Sequence, residues 1–309
     1  LAYKVEVKLS EYEIFDIYLD VDTKKVQKEI SQVHQAQVPA VGIDLNGSQV
    51  SFQVEQSGNS FYLKDSRFPI GYDTHIYNAA GKLGTEDNPI ENVNYIGSNS
   101  DTTGWDAASV SAVNNAKTLI DYFKIEHSYN VLADIAIGVN LGAESGSAFR
   151  NNALAYSSLN IYAFGAGDGV SKYNFAKSLD VMAHEITHGV ISATSQLVYR
   201  NQSGALNESF ADFFAGMLDS DDWYIGEDLY IAPNSIMRNM ANPGDSRSEY
   251  PQPSHMANYD FRTSDKGGVH TNSGIFNRAL YQLAEGLDSS IGRRKTANIV
   301  FNTMTTLSR

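Results

Sequence analysis

Cysteine is absent from the 309 residues, so no disulfide framework and no thiolate metal site is available. Any metal must be held by histidine or carboxylate. The absence does not place the chain inside a cell, because a secreted protein can be stapled by metal ions instead. No apolar run approaches the length needed to span a bilayer, so no membrane partner is expected. No signal peptide is visible, and Leu1 opens directly into strand-like sequence. With no initiator methionine, the chain reads as a piece excised from a longer product. Basic residues are the scarcer charge, 23 Lys and Arg against 36 Asp and Glu, giving a formal net charge of −13. Nucleic acid is excluded as the main partner, because a phosphate backbone asks for a basic face. The surplus of carboxylates suits either calcium binding or plain solubility.

Hydrophobic residues make up 42% of the chain, enough for a sizeable core. Alternating segments come first. Leu1 to Leu9 and Ile14 to Val21 read as strands, with Asp22-Thr23-Lys24 as a turn. From Gln37 to Asn46 the sequence loosens around Pro39, Gly42 and Gly47, as in a linker or the start of a new unit. Strands are expected at 51–54 and 60–63, with turns at Gly58, Gly71 and Gly81, and again at 131–139 and 153–164. Between them, 106–123 has helical spacing. The turn at 165–169 lacks the Lys-Ser/Thr that would follow a phosphate loop. From Ser178 onward helices are expected at 178–193, 205–218, 273–287 and 294–307. Strands first and helices later imply an α+β protein of two lobes.

The helix at 178–193 contains His184-Glu185-Ile186-Thr187-His188. Residues four apart share a helix face, so both imidazoles can reach one ion while Glu185 leans over its open side. Two neutral imidazoles suit zinc, and a carboxylate beside an activated water suits hydrolysis. The alternative is two histidines on an ordinary helix. A catalytic zinc needs a third protein ligand, and Glu208 is the best candidate. Glu208, Asp212 and Asp219 share one face of their helix, as Asp180, His184 and His188 do of theirs. Packed antiparallel, the two faces bring Asn207 to His188, Asp212 to His184 and Asp219 to Asp180. Metal-bound histidines usually donate their other N–H to a carboxylate or carbonyl, the part expected of Asp212 and Asn207. A solvated acidic stripe is the alternative, but Phe210, Phe213 and Phe214 alongside argue against an exposed helix.

The acids at the other end, Asp180, Asp219, Asp222 and Glu227 with Asp221 and Asp228 adjacent, repel unless a cation joins them, and calcium fits such a cluster. Asp180 alone would also be favourable in a first helical turn. Further on, His270 is placed just before a helix, with Asp265 able to reach its ring through Gly267-Gly268. A histidine held cationic by an acid could donate to an oxyanion, although a histidine near a helix cap can equally be structural.

Together these segments resemble the thermolysin-like family of secreted zinc metalloproteases, with the two-lobed zincin fold. The resemblance rests on Asp180 to Gly189, Tyr199 to Asp212, Ile225 to Asp228, Arg238 to Pro243, Gly267 to Gly274 and Asn151-Asn152-Ala153, in that family's order. It implies one catalytic zinc on His184, His188 and Glu208, with Glu185 as general base. Tyr199 and His270 would stabilise the oxyanion, with Asp265 orienting His270. Arg238 would contact both the substrate carbonyl and Asp212. Asn152 and Ala153 would lie on an edge strand that pairs with the substrate backbone. Val181, Ile225 and Met237 would line an apolar primed-side pocket, selecting peptide bonds before bulky hydrophobic residues. At least one structural calcium is implied at Asp180, Asp219, Asp222 and Glu227, with the Tyr224 carbonyl.

The resemblance also makes 1–38 the end of an inhibitory propeptide, removed by self-cleavage between His34 and Gly42. Residues 39–177 become the β-rich lobe of the catalytic domain, and 178–309 the central metal helix and helical lobe. Expected partners are peptide or protein substrates and the chain's own propeptide, in a secreted monomer. The sequence departs from the family pattern in four places. Tyr224 replaces an acid found with double calcium sites, and the loop at 230–236 is short, which puts a further calcium site in doubt. Lys172 and Ala155 replace common aromatics, so the cleft floor is expected to differ. Family members continue beyond the equivalent of Arg309, so the helical lobe is expected to be incomplete here. A non-catalytic metal-binding protein on the same fold is the rival reading, against which no catalytic position is substituted.

Overall fold

The computed structural model describes residues 2–10, 13–20, 23, 25–31, 37–57, 59–65, 74–79, 94–98, 100–131, 135–143, 148–286, 288 and 290–306. The turns expected at Gly58, Gly71 and Gly81 lie outside the described residues. So do Leu1, Val21, Asp22, Lys24, residues 34–36, Leu287 and 307–309.

Strands β1 (Ala2–Ser10), β2 (Glu13–Asp20) and β3 (Val26–Ser31) form a three-stranded antiparallel sheet, with Val5 opposite Ile17 and Asp16 opposite Ile30. The segment expected to be loose is instead strand β4 (Gln37–Ile43). It pairs along its whole length with β5 (Gln49–Ser57), from Gln37 opposite Glu55 to Ile43 opposite Gln49. Its prolines and glycines misled because β4 ends the order of its four-stranded sheet. An edge strand tolerates Pro39, whose missing N–H owes nothing to a neighbour. Ala40, 1% exposed, still anchors β4 to the core.

β6 (Ser60–Tyr62), β7 (Lys64–Asp65), β8 (Thr74–Asn78), β9 (Asn94–Tyr95) and β10 (Gly97–Ser98) complete the first β region. Helix α1 (Ala107–His127) follows, its first turn capped by Asp106, which accepts from the Ser109 N–H at 2.9 Å. β11 (Ile135–Leu141) is the centre of a mixed sheet and runs parallel to β8 on one side and β13 on the other. Its nearly continuous apolar run suits a strand covered on both faces. The single strand expected at 153–164 is a hairpin of β12 (Ala153–Tyr156) and β13 (Ile161–Gly165). Asn160, at φ 53°, turns the chain, since asparagine tolerates the left-handed region. β12 thereby becomes the edge of its sheet.

Helix α2 (Leu179–Ala193) is capped by Ser178 and almost wholly buried. α3 (Asn201–Leu218) begins four residues before the expected Ala205. β14 (Tyr224–Ile225) and β15 (Arg238–Asn239) form a short antiparallel ladder. α4 (Asp265–Tyr281) opens with a kinked turn and runs as a regular helix from Val269, four residues before the expected Ser273, and α5 (Arg293–Thr306) closes the described chain. One apolar cluster runs through the β-rich and helical parts alike. Phe123 of α1 meets Phe214 of α3 at 4.9 Å and Phe301 of α5 at 6.0 Å between ring centroids. Such aromatic pairs add roughly 0.5–1.5 kcal/mol each beyond the area they bury. Val181, Met182, Ala183, Ile186, Val190 and Ile191 of α2 belong to the same cluster, so the helix is held by both regions.

Candidate active site and metal centre

α2 and α3 pack antiparallel, as the face arithmetic requires. Asn207 Oδ1 lies 2.7 Å from His188 Nδ1, and Asp212 Oδ1 lies 2.9 Å from His184 Nδ1. The other ring nitrogens turn inward. His184 Nε2 and His188 Nε2 are 3.1 Å apart, and the two Glu208 oxygens lie 3.3 Å from His184 Nε2 and 3.4 Å from His188 Nε2. All three side chains are buried.

This trio fits a metal on its own geometry. Ligand atoms placed tetrahedrally at zinc distances sit about 3.3 Å apart. Glu208 Oε2 is buried without a hydrogen-bond donor, as a ligand oxygen awaiting a cation would be. The charge distribution agrees. Burial would lower His184, but Asp212 and Glu208 outweigh it and push the imidazole up to about 10. Burial takes His188 down to about 4. Burial would raise Glu208, yet the surrounding histidines, His270 foremost, hold it well below the usual carboxylate range. Two imidazoles and one carboxylate are a donor set for catalytic zinc with an open position.

Asp212 is the hub behind the ligands. Besides its ion-pair contact with His184, it accepts from Arg238 Nη2 at 2.7 Å and from Asn277 Nδ2 at 2.8 Å. Burial opposes its charge, but Arg238 and His184 prevail and hold it at about 2. Asn277 was missed in the sequence. The available signal was its place seven residues after His270, on the same face of α4.

On the open side, Glu185 is partly exposed, and burial pushes its carboxyl up. Tyr199, from the α2–α3 connection, donates its hydroxyl to Glu208 and sits 3.2 Å from His270 Nε2. His270 does not precede α4 but lies in its first right-handed turn. Asp265, Lys266, Gly267 and Gly268 all have positive φ, so a left-handed turn leads into the helix at Val269. That reversal brings Asp265 under His270, with 2.6 Å to Nδ1 and 2.9 Å to the backbone N–H. Burial would lower His270, but Glu208 and Asp265 outweigh it and raise its pKa.

Two cavities of about 570 and 740 Å³ share Asn152, Ala153, His184, Glu185 and His270. The smaller contains Val181, Met237 and Arg238 as expected. Ile225 does not line it: the residue is fully buried in the core, because the β14–β15 ladder turns it inward. Lys172 and Glu249 line it instead, as do Tyr250, Gln252 and Arg262, which carry no local sequence signal.

The acids expected to hold calcium fall into two groups. Asp219, Glu227 and Asp228 bring carboxylate oxygens within 4.8 Å of one another. Asp228, read only as an adjacent acid, is thus a member. Asp180 is turned to structural bonds, accepting from Ser178 Oγ and from the Val181 and Gly226 N–H groups. Asp222 accepts from the Tyr224 N–H at 2.7 Å, and the Tyr224 hydroxyl accepts from Arg247 at 3.0 Å. Burial and the neighbouring acids, Asp180 first, raise Asp219 to about 6 and Glu227 to about 8.

Residues 40–192 match the family model described as the thermolysin metallopeptidase catalytic domain, and 195–309 match its alpha-helical domain. Bacillolysin of Brevibacillus brevis is 34% identical over 316 residues, covering 99% of this chain and 56% of that protein. The extracellular elastase of Staphylococcus epidermidis is 31% identical, covering 98% of this chain and 58% of its own length. The chain therefore spans a little over half the length of these curated relatives. Among solved structures, the precursor of protealysin, a metalloproteinase from Serratia proteamaculans, superposes with a TM-score of 0.63. It is 29% identical and covers 77% of each chain.

Proposed function

The chain belongs to the thermolysin metallopeptidase family, and from that premise we propose that it carries a secreted, zinc-dependent endopeptidase cutting before bulky hydrophobic residues. The observation that carries this reading is the junction of two cavities at Glu185, beside the His184–His188–Glu208 trio. A cleft open on both sides of the reacting centre suits an extended peptide cut in its middle.

A zinc ion held by His184, His188 and Glu208 would supply the charge that acidifies a water and polarises the scissile carbonyl. Glu185, raised by burial and next to that position, takes the proton of the attacking water and returns it to the leaving amine. Tyr199 and His270, 3.2 Å apart beside the metal position, would donate to the negative charge that develops there, and Asp265 orients His270 and helps raise its pKa. Arg238 contacts the substrate carbonyl from its anchorage on Asp212. Ala153 opens edge strand β12 and would offer its backbone to the substrate, with Asn152 beside it in the same cleft. Val181, Phe175 and Met237 give the pocket its apolar walls.

Calcium belongs to the same reading, at Asp219, Glu227 and Asp228 with Asp180, Asp222 and the Tyr224 carbonyl nearby. The segment up to residue 38 is the end of the propeptide, 39–177 the β-rich lobe and 178–309 the helical lobe. Likeness to a protealysin precursor supports the propeptide. A monomer is the expected state. Glu185→Gln tests the mechanism. It should retain one zinc per chain after dialysis while hydrolysis of casein falls by at least about a hundredfold. A mutant that still cut casein at the wild-type rate would refute the role given to Glu185.

A further inference from the structure

The cavity beside Glu185 has apolar side walls in Val181, Met237 and Phe175, but it also carries charge. Lys172 is 6% exposed, and its Nζ lies 2.7 Å from Glu249 Oε2. The ammonium also sits 5.2 Å from the ring centroid of Tyr230 and 5.8 Å from that of Phe175. Both members of the pair line the cavity. The lysine is held in place from two directions. Its backbone N–H donates to Asp168 Oδ1 at 3.0 Å, and it forms an antiparallel β-bridge with Tyr230. Next to it, the Tyr173 N–H donates to the Leu229 carbonyl at 2.8 Å.

The hydrogen-bond balance of this pair is uneven. Glu249 accepts from Lys172, from the Tyr230 hydroxyl and from the Tyr250 hydroxyl at 2.9 Å, so its oxygens are well supplied. An ammonium carries three donors. Among the described residues, one is directed to Glu249 and the other contacts are aromatic faces, which take charge but not a linear hydrogen bond. A substrate side chain that fills this cavity displaces the water serving the remaining donors. A purely apolar end leaves them unpaired, whereas an end bearing a carbonyl oxygen satisfies them. A carboxylate would meet the ammonium too, but Glu249 stands 2.7 Å behind it and repels a second negative charge.

We infer that Lys172 widens the specificity of this pocket, which admits, besides the bulky hydrophobic residues its walls take, a residue after the scissile bond that ends in a neutral amide, as glutamine does, while Glu249 rejects glutamate. This rests on the endopeptidase reading and sharpens its substrate class. Three quenched-fluorescent peptides differing only in that residue (Leu, Gln or Glu) are compared by kcat/KM on the wild-type chain, Lys172→Met and Glu249→Gln. Lys172→Met should lower the Gln-to-Leu ratio by about tenfold or more, through loss at the glutamine peptide. Glu249→Gln should raise the Glu-to-Gln ratio by a similar factor. That gain cannot come from a loss of structure, so it decides the matter if Lys172→Met fails to fold. Leu and Gln peptides losing rate in parallel in Lys172→Met would overturn the inference. A Glu-to-Gln ratio moving less than about twofold in Glu249→Gln, or a wild type that cuts before Leu and never before Gln, would do the same. A wild type that cuts no peptide at all would instead overturn the catalytic reading beneath it.

Discussion

Replacing Asp212 by asparagine keeps the shape of the side chain and removes its charge. The wild-type carboxylate is fully buried, accepts from Arg238 Nη2 and Asn277 Nδ2, and lies 2.9 Å from His184 Nδ1 as its ion-pair partner. An amide has one acceptor oxygen, and its NH2 faces groups that are themselves donors. Arg238, 6% exposed, keeps its charge and loses its counter-ion. Breaking a buried ion pair from one side costs about 3–5 kcal/mol, which is the expected loss of unfolding free energy in chelator. Zinc adds a separate loss. His184 is no longer oriented by a carboxylate, and removal of such a partner weakens metal binding by roughly 10–100-fold. At a fixed excess of zinc, that is a further ~1.4–2.7 kcal/mol. Denaturant unfolding with chelator and with zinc separates the two contributions, and competition with a chromophoric chelator reads the affinity directly. Arg238→Met is the control, because removing both charges should cost less than the sum of the single changes. A stability within about 1 kcal/mol of wild type in chelator, or strict additivity in the double mutant, would refute the hub role of Asp212.

The acids at Asp219 and Glu227 predict a calcium effect that grows with pH. Their folded pKa values, about 6 and about 8, lie above the ordinary carboxylate range. Between the unfolded and folded values the native state holds more protons, so the calcium-free protein loses stability as pH rises from about 4 towards 8. Calcium reverses the repulsion, and its increment in melting temperature should be larger at pH 8 than at pH 5; an increment independent of pH would argue against ligation there. Gly267→Ala should disturb the His270 side of the cleft. A Cβ at Gly267 would fall 2.1 Å from Asn201 Oδ1, on a backbone at φ 91°. The turn must shift, carrying Asp265 away from His270, so kcat should fall while zinc content stays at one per chain. An unchanged kcat would show that the left-handed turn is not what positions Asp265.

The legible part of the site is the part that helix geometry determines locally. His184, Glu185 and His188 sit within one turn and a half of α2, and one pairing rule between two helices is enough to place Asn207 and Asp212. The same rule brought Asp219 towards Asp180 but could not see Asp228 joining from the following turn. It also could not see Asp180 spending its oxygens on the Gly226 and Val181 N–H groups. The strand at 37–43 was illegible because edge position, which excuses Pro39, is a property of the sheet and not of the segment.

By itself the sequence determined the donor set, the general run of strands before helices and, having no cysteine, the exclusion of thiolate ligands. These depend on residue type and on periodicities of a few residues. Only the tertiary structure decided that Asn277, 65 residues away, completes the shell of Asp212, that Ile225 turns into the core, and that Lys172 meets Glu249 in the cavity beside Glu185. Those contacts join residues far apart in the chain, and their positions are fixed by how whole elements pack rather than by anything the neighbouring residues spell out.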